Sequence, residues 1–427
     1  ANGNTGVGTD ALKTNILGAH SIAIGSAALE TQNYATATSA YNVGVGSNVG
    51  ASVTTGVENT LIGGLAGDAL TDADRNVAVG YLALSSDTLG NDSVAIGRSA
   101  LESQNFTTAT SAYNVAIGRS AGVNLTTGVR NEFIGGLAGL SNTTGSNNVG
   151  IGLSSLEGNT VGSKSIAIGS NALSLQNPST ATDMHNIAIG HSAGDSLTTG
   201  AANTIVGSTA ADSLTTGGSN TAIGFSALGA GTLTGDANTG VGHAAGNDVS
   251  SGSNNTFIGN NAGRAGSPGG SFTSESNNIV LGDGNITLIR TAVSVTATSD
   301  QRDKTDFTDL DLGLDFVKGL APVTFKWDRR SKYIDTSKDD WEDSVDMNAI
   351  VPDGTHKEDR LDIGFKAQEV ESLEESFGYK KDDKQNLLYD PGVNGTSYGM
   401  HYEKFVPILV KAIQELSAEV EKLKSGG

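Results

Sequence analysis

At 427 residues the chain is too long for one compact core, and two or more domains are expected. It carries a formal net charge of −20 with 17% charged residues, 58 glycines, 6 prolines and no cysteine. Disulfides and thiolate metal sites are thereby excluded, as are collagen and a Pro-rich linker.

The charge divides evenly. Residues 1–299 hold 8 basic and 18 acidic side chains and residues 300–427 the other 18 and 28, so each part carries −10. An acidic surface throughout argues against nucleic acid or an anionic membrane as partner. No apolar run reaches the roughly 18 residues of a membrane span and no signal peptide is legible, so no membrane insertion is expected. The chain starts Ala-Asn-Gly without Met and ends Ser-Gly-Gly, which is expected of a piece of something longer.

One motif recurs through the first part: Asn or Ser, two residues, an aliphatic, then Gly. Its glycines run from Gly8, Gly25 and Gly46 to Gly259 and Gly282, mostly 17 residues apart, with 21 before Gly46, Gly118 and Gly190. The residue four before the glycine is Asn in thirteen cases and Ser in three, Ser21, Ser93 and Ser165. Those serines and the longer spacings both recur every 72 residues, so a unit of four coils has been duplicated with its four-residue insertion.

A fixed period of this size means a solenoid. A 17-residue coil with a short stretch such as Ser-Ile-Ala-Ile-Gly has no room for a helix, and its alternation puts Val and Ile on one side of each strand. Glycine permits the bend that closes the coil. Stacked Asn side chains are expected to form a hydrogen-bonded ladder. At about 4.8 Å per strand, fifteen intervals give a rod on the order of 70 Å long. Each coil carries little apolar volume, so three rods packed side by side, a homotrimer, are expected. The repeats resemble the left-handed β-roll heads of trimeric autotransporter adhesins over residues 4–284. Glycine clusters such as Gly44-Val-Gly46-Ser-Asn-Val-Gly50 imitate a phosphate loop, but no helix follows them.

From 285 to 298 alternation of Ile286, Leu288, Val293 and Val295 suggests an extended connecting segment leading to Ser299-Asp300-Gln301-Arg302-Asp303-Lys304. Beyond it the sequence predicts a helix around 310–320, a strand at 323–327, a polar loop at 331–362, and a helix at about 403–424. A serine five residues ahead of a lysine at a domain boundary suggests a nucleophile and its base. The terminal helix has a heptad seam of Leu409, Ile413, Leu416, Val420 and Leu423, with Pro407 tolerated in the first turn. Ile/Val alternating with Leu favours two strands in isolated peptides; three globular domains and three rods are expected to override that preference.

Four blocks in this order carry a second resemblance: Ser299-Asp-x-Arg302-x-Lys304, Leu320-x-Pro322-Val-x-Phe325-x-Trp327, Gly364-Phe-x-Ala-Gln368-Glu369-Val370, and Tyr402-x-x-x-Val406-x-x-Leu409 with Ala412-Ile413-x-Glu415-Leu416. They resemble the C-terminal intramolecular chaperone, or auto-processing, domain of phage tailspikes, tail fibres and endosialidases, over about 299–424. Myelin regulatory factor has a related domain. The resemblance implies a domain that trimerises, guides folding of what precedes it, and cuts itself off. Ser299 would be the nucleophile, Lys304 the general base, and Ser299–Asp300 the cleavage site.

A free lysine has a pKa near 10.4, so a neutral amine at pH 7 costs roughly 4–5 kcal/mol. Arg302 would help by repulsion while Asp300 and Asp303 oppose it. Burial on trimer assembly must then do most of the work. Gln368 and Glu369 would either support the pair or lie on a helix surface, and Trp327 and Phe365 would be core. Attack by Ser299 Oγ on its own carbonyl needs a four-membered ring; attack on the Thr298 carbonyl, or by a neighbouring chain's serine, avoids it.

The expected architecture is therefore a mainly β repeat solenoid (a trimeric β-roll or β-helix rod at 1–284), a connecting segment at 285–298, and a small α+β chaperone domain at 299–427 ending in a coiled-coil helix. The expected function is a phage tail-fibre or tailspike fragment: a homotrimeric adhesion rod on the virion tail that binds a host surface receptor, polysaccharide among the candidates. Its chaperone is released into the host cytoplasm by single-turnover Ser-Lys autoproteolysis. No cofactor and no metal are expected, since only His185 and His191 lie near each other. Two alternatives are a polysaccharide-depolymerising tailspike and a bacterial trimeric surface adhesin. For the former, Glu30 and Glu102 recur but the third unit has Ser174, one carboxylate short of a repeated pair. Tyr34, Tyr41, Phe106 and Tyr113 on the insertions would either stack on sugars or fill a corner or trimer contact.

Overall fold

In the computed structural model the described residues are 3–229, 231–292, 295, 299–334, 346–380, 387–392, 395 and 397–426. They divide into two compact units, Ala1–Asn261 with Thr273–Ile279, and Ala262–Phe272 with Val280–Gly427.

The first unit is a β-solenoid. Three-residue strands from Thr5–Val7 onward stack in parallel, in chain order, in one sheet of sixteen that ends with Ile279–Leu281, about fifteen turns. Successive coils are in register, as where Ile22-Ala23-Ile24 lies beside Val43-Gly44-Val45. The insertions add small parallel pairs, Gly18–Ala19 with Thr38–Ser39 and Gly90–Asn91 with Thr110–Ser111.

Val and Ile do lie on one side of each strand, but it is the outer one. The central small residue points inward: Ala23, Ala78, Ala95 and Ala116 are fully buried, whereas Ile22, Ile24, Ile117 and Ile223 are 36–40% exposed. The narrow interior is filled instead by leucines from the turns, among them Leu29, Leu84, Leu101 and Leu156. Where a leucine reaches in from the corner the strand contributes only a methyl group, and in other coils Leu61, Phe133, Ile205 and Phe257 fill the interior from the strand itself.

The asparagine ladder exists, but it runs from side chain to main chain. Asn42 Oδ1 accepts from the Asn59 main-chain N–H at 2.9 Å, Asn59 Oδ1 from Asn76, and Asn76 Oδ1 from Ser93. Each amide nitrogen donates to a carbonyl at the next coil's corner, Asn42 to Gly56 at 2.8 Å and Asn114 to Gly128 at 2.8 Å. Both polar atoms of these buried ladder amides are thus paired, which removes the cost of burying them. A serine is too short for this reach, and a glutamine compensates. Gln104 donates to Ser93 Oγ at 3.0 Å and accepts from Asn114 Nδ2 at 2.9 Å, and Gln176 links Ser165 and Asn186 by accepting from Ser165 Oγ at 3.0 Å and from Asn186 Nδ2 at 2.9 Å. The serines therefore share the 72-residue period of the insertions, because each insertion supplies the glutamine.

Asp87 occupies the place that Asn15 and Asn159 hold in the units on either side. It accepts from Gly90 N–H at 3.1 Å, Phe106 N–H at 3.0 Å and Gln104 Nε2 at 2.6 Å. Burial nevertheless raises its carboxyl above the usual range, outweighing these bonds. A carboxyl whose folded pKa exceeds its unfolded one contributes stability at acid pH and loses that contribution as pH rises through the folded value. Asp87→Asn should therefore raise the thermal midpoint most at pH 8, with the gain shrinking toward pH 4. Calorimetric scans across that range check it, and an unchanged or lower midpoint at pH 8 would refute it.

In the second unit Val323–Phe325 pairs antiparallel with Asp362–Gly364, and Tyr389–Asp390 with Gly399–Met400. Among the described residues three helices accompany them: α1 (Leu314–Gly319), α2 (Ala367–Ser376) and α3 (Phe405–Ser425), the last preceded by a 3-10 turn at Tyr402–Lys404. Pro407 lies in the first turn of α3, where its missing N–H has no intrahelical partner to lose. Leu312, Phe316, Val370, Leu388, Phe405 and Ile408 form the core. Glu415 on α3 caps α1 by accepting from the Leu314 N–H at 2.7 Å. A Cβ on Gly364 would stand 2.4 Å from the Tyr402 hydroxyl, so a larger residue there would displace that side chain.

No strand is found among the described residues of 285–298, where an extended β segment was expected; Val293 and Thr298 lie outside the described residues. The Ile286 carbonyl in this stretch accepts from Arg329 Nη1 instead.

Candidate active site

Ser299 opens into a 3-10 turn, Gln301–Asp303, with Asp300 as its N-cap. The Asp300 carboxylate accepts from the Arg302 main-chain N–H at 2.9 Å, and the Lys304 N–H donates back to the Gln301 carbonyl at 3.2 Å. This turn reverses the chain and returns the Lys304 side chain to the serine. Nζ lies 2.5 Å from Ser299 Oγ and 3.4 Å from the Ser299 carbonyl oxygen. A five-residue spacing in sequence has become a direct serine–lysine contact in space. Both residues are exposed in a single chain.

Arg302 does not face Lys304. Its guanidinium grips Asp300, with Nη2 at 2.6 Å and Nε at 3.0 and 3.2 Å from the carboxylate oxygens. That pairing holds the Asp300 carboxyl below its usual range and raises Arg302. The two charges thus neutralise each other locally, instead of acting as the separate repulsive and attractive influences expected from sequence.

Gln368 and Glu369 begin α2. Glu369 pairs with Lys366 at 2.7 Å, and the Gln368 carbonyl accepts from Ser372 Oγ at 2.9 Å. Among the described residues no hydrogen bond joins either to Ser299 or Lys304. Phe365 stacks on Phe405, centroids 5.1 Å apart, against the core. Trp327, expected in the core, is 43% exposed and lines a cavity of about 770 Å³ with Phe325, Phe365, Tyr398 and Tyr402.

The terminal helix serves two faces. Phe405, Ile408 and Ala412 are buried in the domain, whereas the heptad seam of Leu409, Ile413, Leu416, Val420 and Leu423 is 39–78% exposed.

On the rod, the insertion aromatics split. Tyr34 and Phe106 are buried corner residues, Tyr34 donating to the Gly56 carbonyl at 2.6 Å, while Tyr41 and Tyr113 are more than half exposed and Tyr41 stacks on His20. Glu30 is paired with Lys13 at 3.1 Å. Among the described residues no three His, Asp or Glu side chains converge as metal ligands.

Sequence reasoning did not anticipate Gln104 and Gln176, the cap from Glu415, or Arg329. The glutamines had a signal in the repeated Gln-Asn dipeptide of each insertion. The other two act over long separations and had none.

Residues 299–379 match the family model described as the chaperone of endosialidase. That family comprises self-cleaving chaperone domains, and the match begins on Ser299 itself. It ends at Tyr379, ahead of the Tyr402 block and the terminal helix that also carried the resemblance. No curated protein matches the chain. A chaperone-of-endosialidase domain behind a β-solenoid rod supports a phage tail-fibre or tailspike-like protein.

Proposed function

We propose that this chain is the shaft and folding chaperone of a phage tail fibre or tailspike, and that three copies assemble before Ser299 and Lys304 sever the two. The contact of Lys304 Nζ with Ser299 Oγ, at the first residue of the family match, carries the reading. Lys304 takes the hydroxyl proton as Ser299 Oγ attacks a carbonyl beside the boundary and passes it to the leaving amine; water then hydrolyses the ester so formed, and that second step severs the chain. An amine serves as a base only where water is kept from it. A neighbouring copy closing over this exposed pair would provide that exclusion, so cleavage would follow assembly and report on it.

Two bare apolar surfaces support assembly from like copies. One is the α3 seam. The other is the row of outward Ile and Val side chains on the rod, including Ile24, Ile62, Ile189 and Ile258, each 39–46% exposed. Covering such surface contributes roughly 25 cal/mol per Å². The cut rod would remain on the virion tail and engage a host surface receptor, and the chaperone would be left in the host cytoplasm. Without its chaperone the rod could not refold once unfolded, which makes its stability kinetic.

Light scattering and denaturing gels on an Ile413→Asp chain test this. Wild type should be trimeric and cut; the aspartate, which buries a charge in the seam, should give uncut monomer. A cut monomer would sink the coupling of cleavage to assembly.

A further inference from the structure

The residues ahead of the candidate cut are gripped by the domain that follows it. Arg329 Nη1 donates to the carbonyls of Gly284 at 2.9 Å and Ile286 at 2.8 Å. The donor is held in place from behind. Its guanidinium lies over the Trp327 ring, 4.9 Å from the centroid, and its Nε stands 3.4 Å from Glu358 Oε1. Trp327 is fixed in turn, donating from Nε1 to Asp362 Oδ2 at 3.2 Å and accepting at its carbonyl from the Glu358 N–H at 2.7 Å. The Arg329 side chain is only 20% exposed.

The gripped segment fits closely. A Cβ on Gly284 would stand 2.4 Å from the Gly266 carbonyl oxygen and 2.5 Å from Ser331 Oγ, so a glycine is needed there. All these residues belong to one compact unit, Ala262–Phe272 with Val280–Gly427. A cut beside Ser299 therefore falls inside a packed unit.

We propose that Arg329, backed by Trp327 and Glu358, is a binding site for main-chain carbonyls, with residues 284–286 as its occupant, and that it retains the severed chaperone on the end of the rod. Cleavage and release are then separate steps. Cutting one peptide bond removes the covalent link and leaves both hydrogen bonds, their charged donor and the glycine fit intact. The inference rests on the proposed self-cleavage only for the origin of the cut.

The test supplies the cut from outside. A Ser299→Ala chain with a site-specific protease sequence inserted after position 299 is folded, then cut by that protease. The two fragments should co-elute on size exclusion at neutral pH. Adding Arg329→Ala should make them separate about ten- to a hundredfold faster, the effect of losing two hydrogen bonds from a charged donor. Glu358→Gln, which leaves the arginine but loosens it, should fall between. Arg329→Lys keeps the charge without the fixed fork; it serves if the alanine chain fails to fold, and should also release faster than Arg329. Equal release rates with and without Arg329, or immediate separation when it is present, would overturn the proposal. Failure of the unmodified chain to cut itself would overturn the proposed function and leave this result standing.

Discussion

Ser299→Ala should remain one band of 43.3 kDa in a denaturing gel, under conditions where the unmodified chain has separated into rod and chaperone. The loss should be complete, because the attacking atom itself is removed. Lys304→Arg should fail as fully for a different reason. Arginine keeps the charge and much of the reach, yet it does not deprotonate in proteins and cannot accept the hydroxyl proton. The two variants together separate a missing nucleophile from a missing base. Cleavage at the normal rate in Lys304→Arg would show that the 2.5 Å contact is not the catalytic one. A folded, three-chain preparation of the unmodified protein that stays intact at neutral pH would dispose of self-processing altogether. Intact mass on the released fragments then fixes which bond beside Ser299 breaks.

Gly118→Ala should damage the rod severely for a single added methyl. Gly118 sits at φ +138°, a region closed to L-residues, and a Cβ there would lie 2.5 Å from the Gly135 carbonyl oxygen of the next coil. That neighbour is backbone and cannot rotate away. Conformational strain and overpacking together cost about 4 kcal/mol. Gly136→Ala is the matched control. Nothing stands closer to its added Cβ than Leu153 Cδ1 at 3.4 Å, an ordinary contact. Limited proteolysis should open Gly118→Ala near the affected coils and leave Gly136→Ala untouched. Similar resistance in both would mean that the glycine column is not what holds the coils at their spacing.

The same column recurs along the rod, with Gly25 facing Gly46 and Gly190 facing Gly207. Glycine had been expected for the bend that closes a coil. The positive φ agrees with that, but the closer constraint is the carbonyl of the adjacent coil. A sequence displays the bend and the stacking as one and the same letter, so only coordinates separate the two causes.

The candidate site divides in a similar way. Ser299 and Lys304 were legible because a capped 3-10 turn joins residues five apart using local bonds alone. The role of Arg302 is not legible in its charge alone, because Asp300 two residues before it takes up the guanidinium. Gln368 and Glu369 were chosen by position within a motif, and their partners in one chain are neighbours on the same segment.

By itself the sequence determined the coil period, the placement of the insertions, the amphipathic terminal helix and the serine–lysine contact. Each depends on neighbours within a few residues or on a geometry that repeats identically. Tertiary structure decided which side of each strand faces inward, since alternation defines two faces and the turn leucines choose between them. It also decided that Asn42 Oδ1 bonds main chain instead of another amide, that Glu415 caps α1, and that Arg329 grips Gly284 and Ile286. Those contacts join segments whose separation in the chain carries no periodic signal, so they exist only once the packing has brought donor and acceptor together.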